Sequence, residues 1–247
     1  MATRPRRTAT TRCLLPLVAL LLMAIVAPAA AQSPEATPAP DPFELVGRVR
    51  PSEWALLLGV AGTPASGTPQ AGSVLQTRGV LSDADLIAGL REGGYVIYFR
   101  HAATDFSQPD TDRQDLTDCA TQRNLSDAGR ADARAIGEGI RALGIPIGDV
   151  LSSEYCRTRE TAEIAFGRVS PTRDLTSRAS TTDPAARAER IEALRRLLAT
   201  PPAPGTNTVL VGHMFNLADA TGVAIAEGEA AIFLPVPDGA AATPAPA

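Results

Sequence analysis

The chain has 247 residues, a net charge of −4 from 23 basic and 27 acidic side chains, and only two histidines and three cysteines. Acids and bases are interspersed, which excludes the basic field that nucleic-acid binding needs. The apolar residues are mostly Ala, Leu and Val, with 4% aromatics, and they are enough for one domain of moderate size.

Residues 1–12 carry Arg4, Arg6, Arg7 and Arg12 and no acid, and Leu14 to Val26 is almost wholly apolar. Ala27-Pro28-Ala29-Ala30-Ala31 follows. Basic stretch, apolar stretch and small-residue site together predict a secretory signal peptide over residues 1–31, cleaved after Ala31. The alternative is an uncleaved anchor, for which the apolar stretch is short against the roughly 20 residues of a span. The protein is then exported, periplasmic or secreted, with no stable membrane insertion after cleavage. Export permits disulfides, and removing the signal leaves Cys119 and Cys156. An even count favours a single bridge; two buried free thiols are the alternative.

Residues 32–42 read as a Pro/Ala linker. Phe43 to Val49 alternates well enough for a strand, and Ser52 to Leu58, with Trp54, suits one or two helical turns. Residues 59–81 form a second linker, rich in Gly, Thr, Pro and Ser. The main domain is expected over 82–239, with a disordered tail at 240–247. Ser82 caps a helix through Leu86, Ile87 and Leu90 that stops at Gly93-Gly94. Tyr95-Val96-Ile97-Tyr98-Phe99 is a buried strand ending at Arg100-His101. A long acidic loop follows, with Asp105, Asp110, Asp112, Asp115 and Asp118. Ser126 opens the next helix, with Ile136, Ile140 and Leu143 on one face. Asp149 to Ser152 is a short strand, Arg157 to Phe166 a helix, and Asp183-Pro184 the start of another helix with Ile191, Leu194 and Leu198 inward. Thr208 to Gly212 is a strand ending at His213. Alternating strands and helices predict an α/β fold, a three-layer α/β/α sandwich on a mostly parallel sheet.

Both histidines thus sit at the carboxyl ends of strands, where open α/β sheets bind ligands. Arg100, His101, His213 and Arg157 form a set suited to a dianion. Guanidinium forks match phosphate oxygens, and an imidazole can attack phosphorus. In this pattern the chain resembles the histidine phosphatase superfamily, also called phosphoglycerate-mutase-like. Arg100-His101-Ala102 stands where the family has Arg-His-Gly. Leu125-Ser126-Asp127-Ala128-Gly129 is similar to its helix start. Ser153 to Ala162 follows its Ser-x-x-x-Arg-x-x-x-Thr-Ala stretch, and Val209 to His213 its Val-x-x-Gly-His.

The resemblance implies a metal-independent, cofactor-free phosphoric monoester hydrolase acting on a small phosphorylated substrate. His101 would be the nucleophile, with Arg100, Arg157 and His213 holding the phosphoryl oxygens and Thr104 lining the pocket. Three departures stand out. Ala102 replaces glycine, which forbids easy left-handed geometry. Met214 follows the second histidine. No glutamate beyond the Arg157 block suits the general acid; Asp105 is the candidate in its place, ahead of Glu160 and Asp183. Lack of an acid leaves open a non-catalytic phosphate- or anion-binding module. In the family fold the segments of Cys119 and Cys156 both border the active site, which implies a Cys119–Cys156 disulfide. The family core does not account for Phe43 to Val49. Its expected place is against the last strand, Ala231 to Val236, at the sheet edge, with Trp54 packed on the domain, as if the piece had been permuted to the front.

Overall fold

A computed structural model describes residues 41–57, Ala55 aside, and 81–236. The expected signal peptide, nearly all of both linkers, and the tail with Asp238-Gly239 lie outside the described residues.

One sheet of six strands organises the described chain, in the order β1-β6-β2-β5-β3-β4. Its strands are β1 (Phe43–Val49), β2 (Val96–Arg100), β3 (Ile147–Ser152), β4 (Ser170–Pro171), β5 (Asn207–Gly212) and β6 (Ala230–Pro235). Strands β2, β5, β3 and β4 run parallel. β6 is antiparallel to β2, and β1 to β6. The helices are α1 (Asp83–Glu92), α2 (Asp127–Ala142), α3 (Cys156–Phe166), α4 (Pro184–Ala199) and α5 (Met214–Thr221).

Strand alternation sorts the core into two layers. Ile97, Phe99, Val209, Val211 and Ile232 face one cluster with Leu86, Ile87 and Leu90 of α1, Ile136 and Ile140 of α2, and Ala162 and Ala165 of α3. Val96, Tyr98, Leu210, Ala231 and Phe233 face the other, with Leu194 and Leu198 of α4 and Leu217 and Ala220 of α5. Successive strand side chains point to opposite faces, so near-continuous apolar runs are what a sheet covered on both sides requires. This is the three-layer α/β/α arrangement. Among the described residues, no helix is long and apolar enough to cross a membrane.

The helix starts follow their caps. Ser82 Oγ accepts from Asp85 N, Ser126 Oγ from Gly129 N, and an Asp183 carboxylate oxygen from Ala185 N with Pro184 in the first turn. Gly129 is there for a close approach: a side-chain carbon would collide with the Ala103 carbonyl oxygen. That contact seats α2 on the segment just after His101. Helix α5 was not anticipated, because residues 214–229 carry no clear apolar period.

β1 pairs antiparallel with β6, from Phe43↔Pro235 to Val49↔Ala230, with a register shift between Leu45 and Gly47. Trp54 is fully buried, its ring 6.0 Å from that of Phe99. Gly139 of α2 has no side chain where Trp54 Cβ passes, which lets the indole close down on the helix. Arg48 of β1 reaches further. Its Nε donates to Glu229 at 2.9 Å and its Nη2 to the Ala224 carbonyl at 2.8 Å, fixing the loop before β6. Removing a fully buried aromatic typically costs about 3–5 kcal/mol. Trp54→Ala is expected to lose that much stability in urea titration; a loss under about 1 kcal/mol would mean that the N-terminal piece is not part of the core.

Candidate active site

The parallel pairing of β2 with β5 sets Arg100 opposite Gly212. Both strands therefore end at one level, and His101 N donates to the Gly212 carbonyl at 3.1 Å. The two imidazoles face each other edge to face, centroids 5.5 Å apart, and both are buried. Tyr98 holds the second strand end from below. Its hydroxyl donates to the His213 carbonyl at 2.9 Å and accepts from His213 N at 2.8 Å. Gly212 leaves room for that hydroxyl, since a side-chain carbon there would strike it.

His101 Nδ1 lies 2.9 Å from the Ala102 carbonyl oxygen. A carbonyl only accepts, so Nδ1 carries the proton and Nε2 keeps its lone pair. Ala102 meets no backbone strain: no described residue other than glycine has a positive φ, and Ala102 N donates to Thr161 Oγ1 at 3.1 Å. His213 Nε2 meets Ser153 Oγ at 2.9 Å. Ser153 opens the Ser-x-x-x-Arg block, so the serine of that pattern orients one imidazole while its arginine, four residues on, enters the same pocket.

Arg157 is buried, its guanidinium carbon 4.2 Å above the Tyr155 ring. Its Nη1 donates to Asp110 Oδ1 at 3.0 Å and to the Arg123 carbonyl at 3.3 Å. Arg100 donates towards Met214 Sδ at 3.8 Å and pairs with Glu227 at 3.3 Å. Met214 thus makes part of the pocket wall under Arg100. Thr104 Oγ1 donates to the same Glu227 oxygen at 2.8 Å, and that oxygen is 3.9 Å from His101 Nδ1. The Nε atoms of Arg100, Arg123 and Arg157 are buried without a hydrogen-bond partner. Buried unpaired donors are costly.

The charges set the histidines' protonation. Burial above all, then Arg157, holds His101 well below the ordinary value of 6.5; the Ala102 carbonyl opposes them, and Arg100 and Arg123 add smaller lowering effects. Burial followed by Arg157, His101, Arg100 and Arg123 lowers His213 in the same way. Both rings are neutral at pH 7, the form in which a nitrogen can attack phosphorus.

The structure therefore brings Arg100, His101, Thr104, Arg157 and His213 together. Asp105 does not join them: its Oδ1 accepts from Ser107 N at 2.9 Å and Ser107 Oγ at 2.7 Å. Glu160 is engaged by Arg130 Nε at 2.6 Å, and Asp183 caps α4. The carboxylates in contact with the cluster are Asp110 and Glu227. Arg123 was also missed. It stands two residues before the Leu125 helix start, a base at the end of an acidic loop, and an isolated Thr104↔Leu125 bridge draws that point of the chain to the pocket. Its guanidinium lies 4.4 Å from the ring centroid of exposed Phe106.

Cys119 and Cys156 are bonded, with Cα atoms 5.7 Å apart. The bridge ties the end of the acidic loop to the residue before Arg157. Gln122 reinforces it, its side-chain oxygen accepting from Cys156 N at 2.9 Å.

Residues 96–180 match the family described as the histidine phosphatase superfamily (branch 1). The match takes in His101 and Arg157. No curated protein matches. Solved structures similar to the chain include SixA from Nakamurella multipartitia, at 22% identity over 51% of this chain and 63% of that one, TM-score 0.35. TTHB049 from Thermus thermophilus is similar at 22% identity over 56% and 92%, TM-score 0.37. YhfR from Bacillus stearothermophilus is similar at 16% over 51% and 76%, TM-score 0.37. The chain spans less than two thirds of the length of the Nakamurella protein.

Two outcomes follow from the geometry. The two imidazoles, being the chain's only histidines, are expected to titrate below 6.5 when followed by NMR. Below 6.5 the unfolded chain takes up protons that the folded chain refuses. The stability contributed by the neutral rings is complete above 6.5 and is lost as pH falls towards the folded values. A thermal midpoint flat between pH 7.5 and 5.5 would contradict this. For the disulfide, a sequence separation of 37 gives about 4 kcal/mol in the chain-entropy model. A Cys119→Ser, Cys156→Ser double variant should lose stability on that scale, and the oxidised protein should show no free thiol from either residue when denatured.

Proposed function

We propose that this protein is an exported phosphatase that hydrolyses a small phosphomonoester through a phosphohistidine on His101. The observation that carries the reading is the unprotonated Nε2 of a buried His101 beside His213, with Arg100, Arg123 and Arg157 converging on the same pocket. Export rests on the signal-like N-terminus and on the disulfide, which an oxidising compartment sustains.

In this reading the phosphoryl dianion enters among the three guanidinium groups. His101 Nε2 attacks phosphorus in line, the P–O bond to the leaving group breaks, and the Nδ1 proton stays hydrogen-bonded to the Ala102 carbonyl. The ring then carries positive charge, and Glu227, 3.9 Å from Nδ1, stabilises it. The arginines and His213 hold the three equatorial oxygens as charge shifts, a preorganised field that costs no rearrangement. Water next attacks the phosphohistidine, the P–N bond breaks, and orthophosphate leaves.

His101→Ala is expected to abolish turnover of p-nitrophenyl phosphate with the fold retained by circular dichroism. His213→Ala and Arg157→Ala should each cost on the order of 100-fold or more in kcat, the scale for losing a preorganised donor. The deciding measurement is mass spectrometry of protein quenched during turnover, which should find acid-labile phosphate on His101. Normal turnover by His101→Ala would overturn the assignment.

A further inference from the structure

The site described so far has a nucleophile and a phosphoryl cradle but no donor for the leaving oxygen. An alkoxide is a poor leaving group, and general acid assistance typically contributes about 10²–10⁴-fold. The donor has to stand ahead of His101 Nε2, across the phosphorus, because attack is in line. Glu227 fails that test. The histidine nitrogen it approaches is Nδ1, and the same oxygen serves Arg100 and Thr104, so it stands behind the nucleophile.

Asp110 approaches the site through Arg157 rather than through His101 Nδ1. It comes from the loop that follows His101 and rests on Arg157, an arginine that would grip the phosphoryl group. A carboxylate and a phosphoryl oxygen sharing one guanidinium lie within a hydrogen bond or two of each other. Its place is fixed. Oδ1 accepts from Arg157 Nη1 at 3.0 Å and from Arg123 N at 2.9 Å. The neighbouring Thr111 N donates to the Thr121 carbonyl at 2.8 Å, and the disulfide closes the loop two residues before that point. The side chain is 13% exposed.

We propose that Asp110 is the proton donor to the leaving oxygen and then the base that activates water; this assignment rests on the phosphohistidine reading above. An arriving dianion would share the Arg157 guanidinium with Asp110. In the first step the Nε2 lone pair forms the P–N bond, the P–O electron pair goes to the leaving oxygen, and that oxygen takes the Asp110 proton to depart as an alcohol. In the second step Asp110 removes one proton from water, the water oxygen bonds to phosphorus, and the P–N electron pair returns to His101. Hydrogen phosphate leaves, and Asp110 is again a carboxylic acid.

The test compares Asp110→Asn with the unaltered protein on two substrates. The amide oxygen keeps the hydrogen bonds from Arg157 and Arg123 while removing the acid. One substrate is p-nitrophenyl phosphate, whose leaving group needs little protonation; the other is glycerol 2-phosphate, whose alkoxide needs it. Because kcat/KM reports the steps through phosphorylation, it is not affected by slow phosphoenzyme hydrolysis. The expected result is a rise of about 100-fold or more in the preference for p-nitrophenyl phosphate over glycerol 2-phosphate. Equal changes on both substrates would overturn the assignment to Asp110, whatever their size. Quenched samples keep the two ideas apart. Phosphate on His101 in both proteins with no change in preference defeats Asp110 alone, whereas none in the unaltered protein defeats the phosphohistidine reading and this assignment with it.

Discussion

The parallel register of β2 on β5 is the constraint on which the site depends. Arg100 opposite Gly212 stops two buried strands at the same level, and the residue after each is histidine. A slip of one residue would send both alternations to the wrong face, exchanging Ile97 and Phe99 with Val96 and Tyr98, and would lift one imidazole away from the other. The slip is resisted on both sides of the sheet, because each alternate set is buried against its own helices. Tyr98 adds a local lock by joining the side chain of one strand to the backbone at the end of the other. Core packing and site geometry are here a single requirement.

Gathering several guanidinium groups around two buried imidazoles is electrostatically unfavourable in the empty protein. Part of the cost is met by keeping the rings neutral. Part is met by carboxylates from two different loops, Asp110 on Arg157 and Glu227 on Arg100. The remaining deficit is visible as the buried, unpartnered Nε donors of Arg100, Arg123 and Arg157. The loop carrying Glu227 is itself positioned from far away in sequence: Gly228 N donates to the His101 carbonyl at 2.9 Å, and Arg48 of β1 grips Glu229 beside it.

The sequence showed His101, His213 and Arg157 because local signals mark them. Two end apolar strand runs, and the third sits at a fixed spacing from a serine on one helix start. The capped helices and the alternation of strands and helices made the layered architecture legible too. Arg123, Ser153, Asp110 and Glu227 were not assigned roles, because nothing within a few residues of each says where its side chain goes. Their places are set by long-range contacts: a bridge between Thr104 and Leu125, a hydroxyl meeting an imidazole, a disulfide, a loop hung on Arg48. Asp105 illustrates the difficulty. Nearness to the nucleophile in the chain suggested it, yet in a loop a residue five positions further on returns to the pocket while Asp105 bonds to its own neighbour Ser107.

β1 at the edge of the sheet has a consequence for how the molecule comes into being. Its neighbour there is β6, so the first strand of the described chain pairs with the last. Contacts between the ends of a chain carry the largest loop-closure entropy, and folds rich in them assemble slowly. As the polypeptide is synthesised, β1 emerges early and waits for β6, and until then neither the antiparallel edge nor the burial of Trp54 beneath it is complete.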